Sequence, residues 1–119
     1  MSTMKTYFYE GVFSPHLVRH VLQHPAKFDA TMRSSIEAFG GRLLRCHLRA
    51  ISNDPIGFVQ FDEDVKAFAW NTFYAEQEGV SSSRIERVLD EADLATVAGN
   101  VDKCATAALA HRAAASGSY

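Results

Sequence analysis

The sequence predicts an α+β domain of order β-α-β-β-α-β, followed by one more helix. Three observations carry that prediction. Four short runs alternate apolar and polar residues at the period of a strand. The segments after the first and third runs repeat their apolar residues at helical spacing. Serine–proline, paired-glycine and "SNDP" punctuation falls between the two kinds of segment. At 119 residues, 47% hydrophobic and 22% charged, the chain has ordinary globular composition and enough length to bury a core.

The first run, "KTYFYEGVF" (5–13), is rich in aromatic residues and reads as a strand. Ser14-Pro15 then supplies an N-cap and a proline at the first helical position, so a helix opens there. Pro25 removes a backbone donor and disfavours helix at His24, which predicts a break. From Ala26 the stripe Phe28, Met32, Ile36, Phe39 continues as helix to a Gly40-Gly41 stop. "RLLRCHLRAI" (42–51) and "IGFVQF" (56–61) read as strands joined by the "SNDP" turn. Asp62 can cap the next helix, which runs to about Gly79 with Val65, Phe68, Ala69, Thr72 and Phe73 toward the core. "SSRIERVL" (82–89) is the last strand. Leu94, Val97, Ala98, Val101, Cys104, Ala105 and Ala108 mark a final helix, and "AAASGSY" reads as a frayed tail. Trp70 and Tyr74 lie off the predicted core stripe, and the final helix is expected to cover them. Residues 1–90 thus form the main fold and 91–119 a helical extension of the same domain.

Right-handed crossovers put both connecting helices on one face of a four-stranded antiparallel sheet, the ferredoxin-like arrangement. Alternation then assigns the other face. In the second strand Leu44, Cys46, Leu48 and Ala50 should meet the helices, leaving Arg45, His47 and Arg49 outward. By the same sorting Phe8, Glu10, Val12, Ile56, Phe58, Gln60, Arg84, Glu86 and Val88 point outward. A face of mixed aromatic and ionic character is the kind of surface that proteins cover. A second copy stacked sheet to sheet covers it most economically, since twofold homodimers are the commonest assembly.

Charge and punctuation exclude several function classes. A net charge of −2 provides no basic field for a polyanion, so no nucleic-acid partner is expected. The N-terminus lacks the pattern of a secretion signal, and no apolar run reaches the ~20 residues of a membrane span. No membrane partner is expected. Cys46 and Cys104 follow no metal or redox spacing and read as buried free thiols in a cytoplasmic protein. No glycine-rich phosphate loop leads from a strand into a helix, so no nucleotide cofactor is expected.

The stretch "VRHVLQHPAKFDATMRSSIEAFGGRL" (18–43) resembles the first helical region of GYD-domain proteins through Val18, Arg19, Pro25 and Gly40-Gly41. The preceding Gly11, Phe13 and Ser14 are similar to that family's ending of its first strand. At the third strand the chain departs from the family, carrying "NDPIGF" where the Gly-x-Tyr-Asp segment would stand. The resemblance implies a dimeric α/β barrel. Its superfamily includes cofactor-independent monooxygenases, lactone isomerases and haem-handling proteins, whose active residues lie at different places and do not carry across.

A rival reading comes from "GFVQFDED" (57–64), which looks like the end of the RNP1 motif of RNA-recognition motifs. Phe8 and Phe58 would occupy base-stacking positions. The basic-Gly-aromatic start of that motif is replaced by "NDP", which puts Pro55 where a stacking aromatic belongs, and the net charge opposes phosphate binding.

Two histidine groups are candidates for chemistry. His16, His20 and His24 recur every fourth residue, but they share a solvent-facing arc with Arg19 and Gln23 and lack a third ligand in a dry cavity. No metal site is assigned to them. His47 is the better candidate, a mid-strand imidazole between Arg45 and Arg49 that could act as a general base. The plainer reading is that these arginines pair with Glu10 or Glu86 across the interface while His47 packs between them. The expectation is a small homodimer that binds an organic ligand between its sheets, with Phe8, Glu10, Arg45, His47, Arg49, Phe58 and Gln60 lining the cavity. Two arginines point to a carboxylate or other anion. An isomerase or monooxygenase-like enzyme using His47 is the first alternative, and a single-stranded RNA binder the second.

Overall fold

A computed structural model describes residues 3–116, with side chains to residue 114. The elements run β1 (Lys5–Phe13), α1 (Pro15–Gln23), α2 (Pro25–Ala38), β2 (Arg42–Leu48), β3 (Pro55–Phe61), α3 (Asp64–Ala75), β4 (Val80–Arg87) and α4 (Glu91–Ser116). They divide into two compact units, the first ending at Val88 and the second beginning at Leu89. The first unit is an α+β fold whose antiparallel sheet has the order β2-β3-β1-β4, an arrangement compatible with a ferredoxin-like fold. The second is the 26-residue helix α4, on which Leu94, Val97, Val101 and Leu109 are exposed, as is Cys104, a thiol expected to be buried. Helix therefore reaches Ser116 through four residues of the expected frayed tail, whose remaining residues, 117–119, lie outside the described residues.

Local chemistry explains each boundary. The Ser14 side chain accepts from the Leu17 amide at 3.2 Å and caps α1, with Pro15 at the first helical position. His24 leaves helical geometry at φ −135°, ψ 59°, and Pro25 restarts the chain as α2. Gly40 takes φ +84°, a left-handed conformation open to glycine, and this lets the Gly41 amide return to the Ile36 carbonyl at 2.9 Å. At the start of α3 the cap position falls on Glu63, whose side chain makes no capping bond, and not on Asp62. Asp62 instead accepts a hydrogen bond from Lys66 at 3.3 Å. Asp64, in the first turn of α3, accepts a short hydrogen bond from the Tyr7 hydroxyl and so ties that helix to β1.

The core lies between one face of the sheet and α1–α3. Tyr7, Tyr9 and Phe13 of β1 and Val59 and Phe61 of β3 meet Val21, Met32, Ile36, Ala67, Trp70 and Tyr74 there. Trp70 is fully buried, with ring centroids 5.1 Å from Tyr9 and 5.4 Å from Tyr74, and its indole N–H donates to the Ser35 hydroxyl at 3.1 Å.

This arrangement corrects the sequence reading of α3. Val65, Phe68, Ala69, Thr72 and Phe73 are all exposed, while the buried face is Ala67, Trp70 and Tyr74. The helix is apolar nearly all round, so periodicity cannot choose its face, and the largest rings go to the core. Trp70 and Tyr74 are thus core residues of the first unit. Phe73 packs beside Phe39 at 5.3 Å.

Strand β2 carries a second correction. Its pairing with β3 shifts between Leu43 and Arg45, a bulge that buries Leu43 and exposes the expected inward residue Leu44. Beyond the bulge Cys46 and Leu48 do turn to the helical side. The strand ends at Leu48, so Arg49 and Ala50 belong to the turn into β3, where Asn53 adopts φ 61°.

Candidate functional site, the open face of the sheet

Cross-strand register places the outward side chains in rows. Arg45 opposes Phe58, Phe58 opposes Phe8, and Phe8 opposes Glu86. The next row is His47, Ile56, Glu10 and Arg84. Arg42, Gln60 and Thr6 form a third, in which the Gln60 amide donates to the Thr6 hydroxyl at 3.4 Å. Six of the seven expected cavity residues stand on these rows: Phe8, Glu10, Arg45, His47, Phe58 and Gln60. The seventh, Arg49, reaches the same surface from the turn.

Two kinds of order are built into that surface. Phe8 and Phe58 lie 5.6 Å apart, and the Arg45 guanidinium sits 4.7 Å above the Phe58 ring. At that distance the cation is attracted to the ring face, a contact of about 0.5–1 kcal/mol at an exposed site. Glu10 receives two arginines, Arg49 at 2.5 Å and Arg84 at 3.1 Å. Arg49 and Arg84 thus pair with Glu10 within one chain, whereas the pairing expected of Arg45 and Arg49 lay across the interface between two copies. Arg45 and Glu86, at the two ends of the aromatic row, make no ion pair among the described residues.

A shallow cavity of about 200 Å³ opens on this face between Phe8, Glu10, Arg84, Ile85 and Glu86. His47 stands at the β2 edge beside a groove of about 220 Å³ bounded by Leu22, Pro25, Phe28 and Asp29. Its imidazole is exposed, and no acidic group among the described residues orients it. Cys46, the next residue, turns the other way. Burial, with the Asp29 carboxylate adding to it, pushes its thiol up to about 11 and makes it a poor nucleophile at neutral pH.

On the helical side a crevice of about 260 Å³ lies between Val21, Phe28, Tyr74 and Val80. Period-two reading has no means of finding it, since α1, α2 and α3 build it together. The rings of His20 and His24 lie 4.9 Å apart, and among the described residues no group of three or more histidine, cysteine or acidic side chains is placed to hold a metal ion. Among the described residues no helix is long and apolar enough to cross a membrane.

Compared with known proteins, the chain matches no family model, no curated protein and no solved structure.

Proposed function

We propose that this chain is a binding protein that works as a homodimer, two ferredoxin-like units stacked sheet to sheet as a dimeric α/β barrel of the GYD-domain kind. The space between the sheets takes a small organic anion. It lies against the row of His47, Glu10 and Arg84, with Arg49 and Gln60 at its margins. One observation carries this reading: Phe8 and Phe58, with Arg45 laid over the Phe58 ring, stand on the face opposite the core formed with α1–α3. Burying such a surface removes apolar area from water at about 25 cal/mol per Å². The cationic side chains Arg42, Arg45, Arg49 and Arg84 outnumber Glu10 and Glu86, so two stacked faces would enclose an excess of positive charge that an anion offsets. The two free thiols, Cys46 and Cys104, suit a reducing cytoplasm.

Sedimentation equilibrium of the full chain tests the assembly, with twice the 13.1 kDa chain mass expected and a single-chain mass at every concentration overturning it. Amide chemical shifts during titration with benzoate, and with neutral benzamide, test the ligand. Benzoate should move Glu10, His47 and Arg84 while benzamide leaves them in place. Unmoved amides with both probes would remove the ligand from the proposal.

A further inference from the structure

We infer that the two copies are held in register by one self-complementary row of side chains, Arg45–Phe58–Phe8–Glu86. This rests on the sheet-to-sheet reading above and adds to it an orientation and a specific contact. The row crosses all four strands, with a cation on β2, two touching aromatic rings on β3 and β1, and an acid on β4. Three strand spacings separate its ends, roughly 14 Å.

A twofold axis in the plane of the interface can run along the strands or across them. Along the strands, it lays the order β2-β3-β1-β4 over β4-β1-β3-β2 of the second copy. Arg45 of each copy then faces Glu86 of the other, and Phe58 faces Phe8. Across the strands, the axis puts β2 over β2 and β4 over β4, so Arg45 meets Arg45 and Glu86 meets Glu86. Like charges brought together on both flanks cost several kcal/mol. The first orientation is therefore selected.

The ion pairs within the chain support the same choice. Glu10 already satisfies Arg49 and Arg84, so these groups have no need of a partner chain. Arg45 and Glu86 are the charged ends of the aromatic row, and each lacks an opposite charge among the described residues. Stacked sheets rotate by about 30° relative to each other, so only rows near the centre of the interface keep register. Phe58 and Arg45 stand at the middle of seven-residue strands, which places this row near the centre.

The test is a charge exchange in the full chain, read by sedimentation equilibrium. Arg45→Glu and Glu86→Arg should each weaken the dimer by about tenfold or more, because the twofold repeats each lesion. The double variant should return to within about threefold of the wild type. Both residues are exposed, so the fold should survive, and near-ultraviolet circular dichroism checks it. Glu86→Gln is the milder second variant. A double variant no tighter than the singles, or singles as tight as wild type, overturns the pairing. Rescue of Glu86→Arg by Arg84→Glu in place of Arg45→Glu would also overturn it. A wild-type chain that is monomeric fails the broader reading instead, and that measurement comes first.

Discussion

Replacing Trp70 by alanine tests which face of α3 is buried, the point on which the structure departs furthest from the sequence pattern. Trp70 is fully enclosed by Tyr9, Phe61, Tyr74 and Ser35. An aromatic side chain of this class buries about 150–250 Å², equivalent to about 4–6 kcal/mol at 25 cal/mol per Å². Alanine recovers a fraction of this and leaves a cavity, so the expected loss is about 3–5 kcal/mol. Phe68, two residues away and so on the other face, is 52% exposed, and Phe68→Ala should cost about 1 kcal/mol or less. Trp70→Phe keeps the aromatic contacts but loses the bond to Ser35 and part of the bulk, at about 1–2 kcal/mol. The assay is urea unfolding followed by far-ultraviolet circular dichroism, since Trp70 is the chain's one tryptophan and its fluorescence leaves with it. A Phe68→Ala loss equal to or larger than that of Trp70→Ala would refute the orientation of α3 and the core built on it.

Other outcomes follow from the same structure. Tyr7, Tyr9 and Tyr74 all have phenols pushed upward by burial, Tyr7 further by its Asp64 partner. A group whose pKa is raised on folding stabilises fully below its unfolded value, near 10 for tyrosine, and that stability drains away as pH rises beyond it. Phenolate absorbance of these three should therefore rise together with unfolding above about pH 10, and free titration of any one in the folded chain would contradict its burial. In acid, the hydrogen bond from Tyr7 holds the Asp64 carboxyl below its usual range, with Lys5 helping, so its contribution is present above the ordinary aspartate value and is lost as pH falls through the depressed one. Tyr7→Phe should remove that part of the acid dependence in urea unfolding, and an unchanged pH profile would deny the coupling. At pH 8 a thiol reagent should label exposed Cys104 quickly and Cys46 at least about tenfold more slowly, as peptide mapping can show. A side chain at Gly57 would meet the Arg45 carbonyl oxygen at 2.6 Å, so Gly57→Ala should cost about 1–3 kcal/mol and displace β2. A neutral result in urea unfolding would contradict the β2–β3 register.

Local signals carried most of the architecture. The aromatic first strand, the Ser14-Pro15 cap, the Pro25 break and the Gly40-Gly41 stop act through backbone chemistry of the residue itself or its near neighbours, and so are visible in one dimension. The outward set Phe8, Glu10, Phe58, Gln60, Arg84 and Glu86 was legible for the same reason, since strand alternation has a fixed period. What the sequence hid depends on partners. The bulge that exchanges Leu44 for Leu43 is a mismatch between two strands and has no signature in either alone. The buried face of α3 was hidden because Val65, Phe68 and Phe73 are as apolar as the residues that win the core. Arg49 reads as a strand residue, yet it arrives at Glu10 from the turn. The row that joins Arg45 to Glu86 needs the order of all four strands before it exists.

Hydroxyl-radical footprinting across a concentration series tests the central claim, that this chain meets its own copy through the open face of the sheet. Oxidation of Phe8 and Phe58 should fall as concentration rises and the chains associate, while half-exposed Phe68 on α3 stays as reactive as before. Phe8 and Phe58 oxidised equally at every concentration, or Phe68 protected in their place, would contradict it.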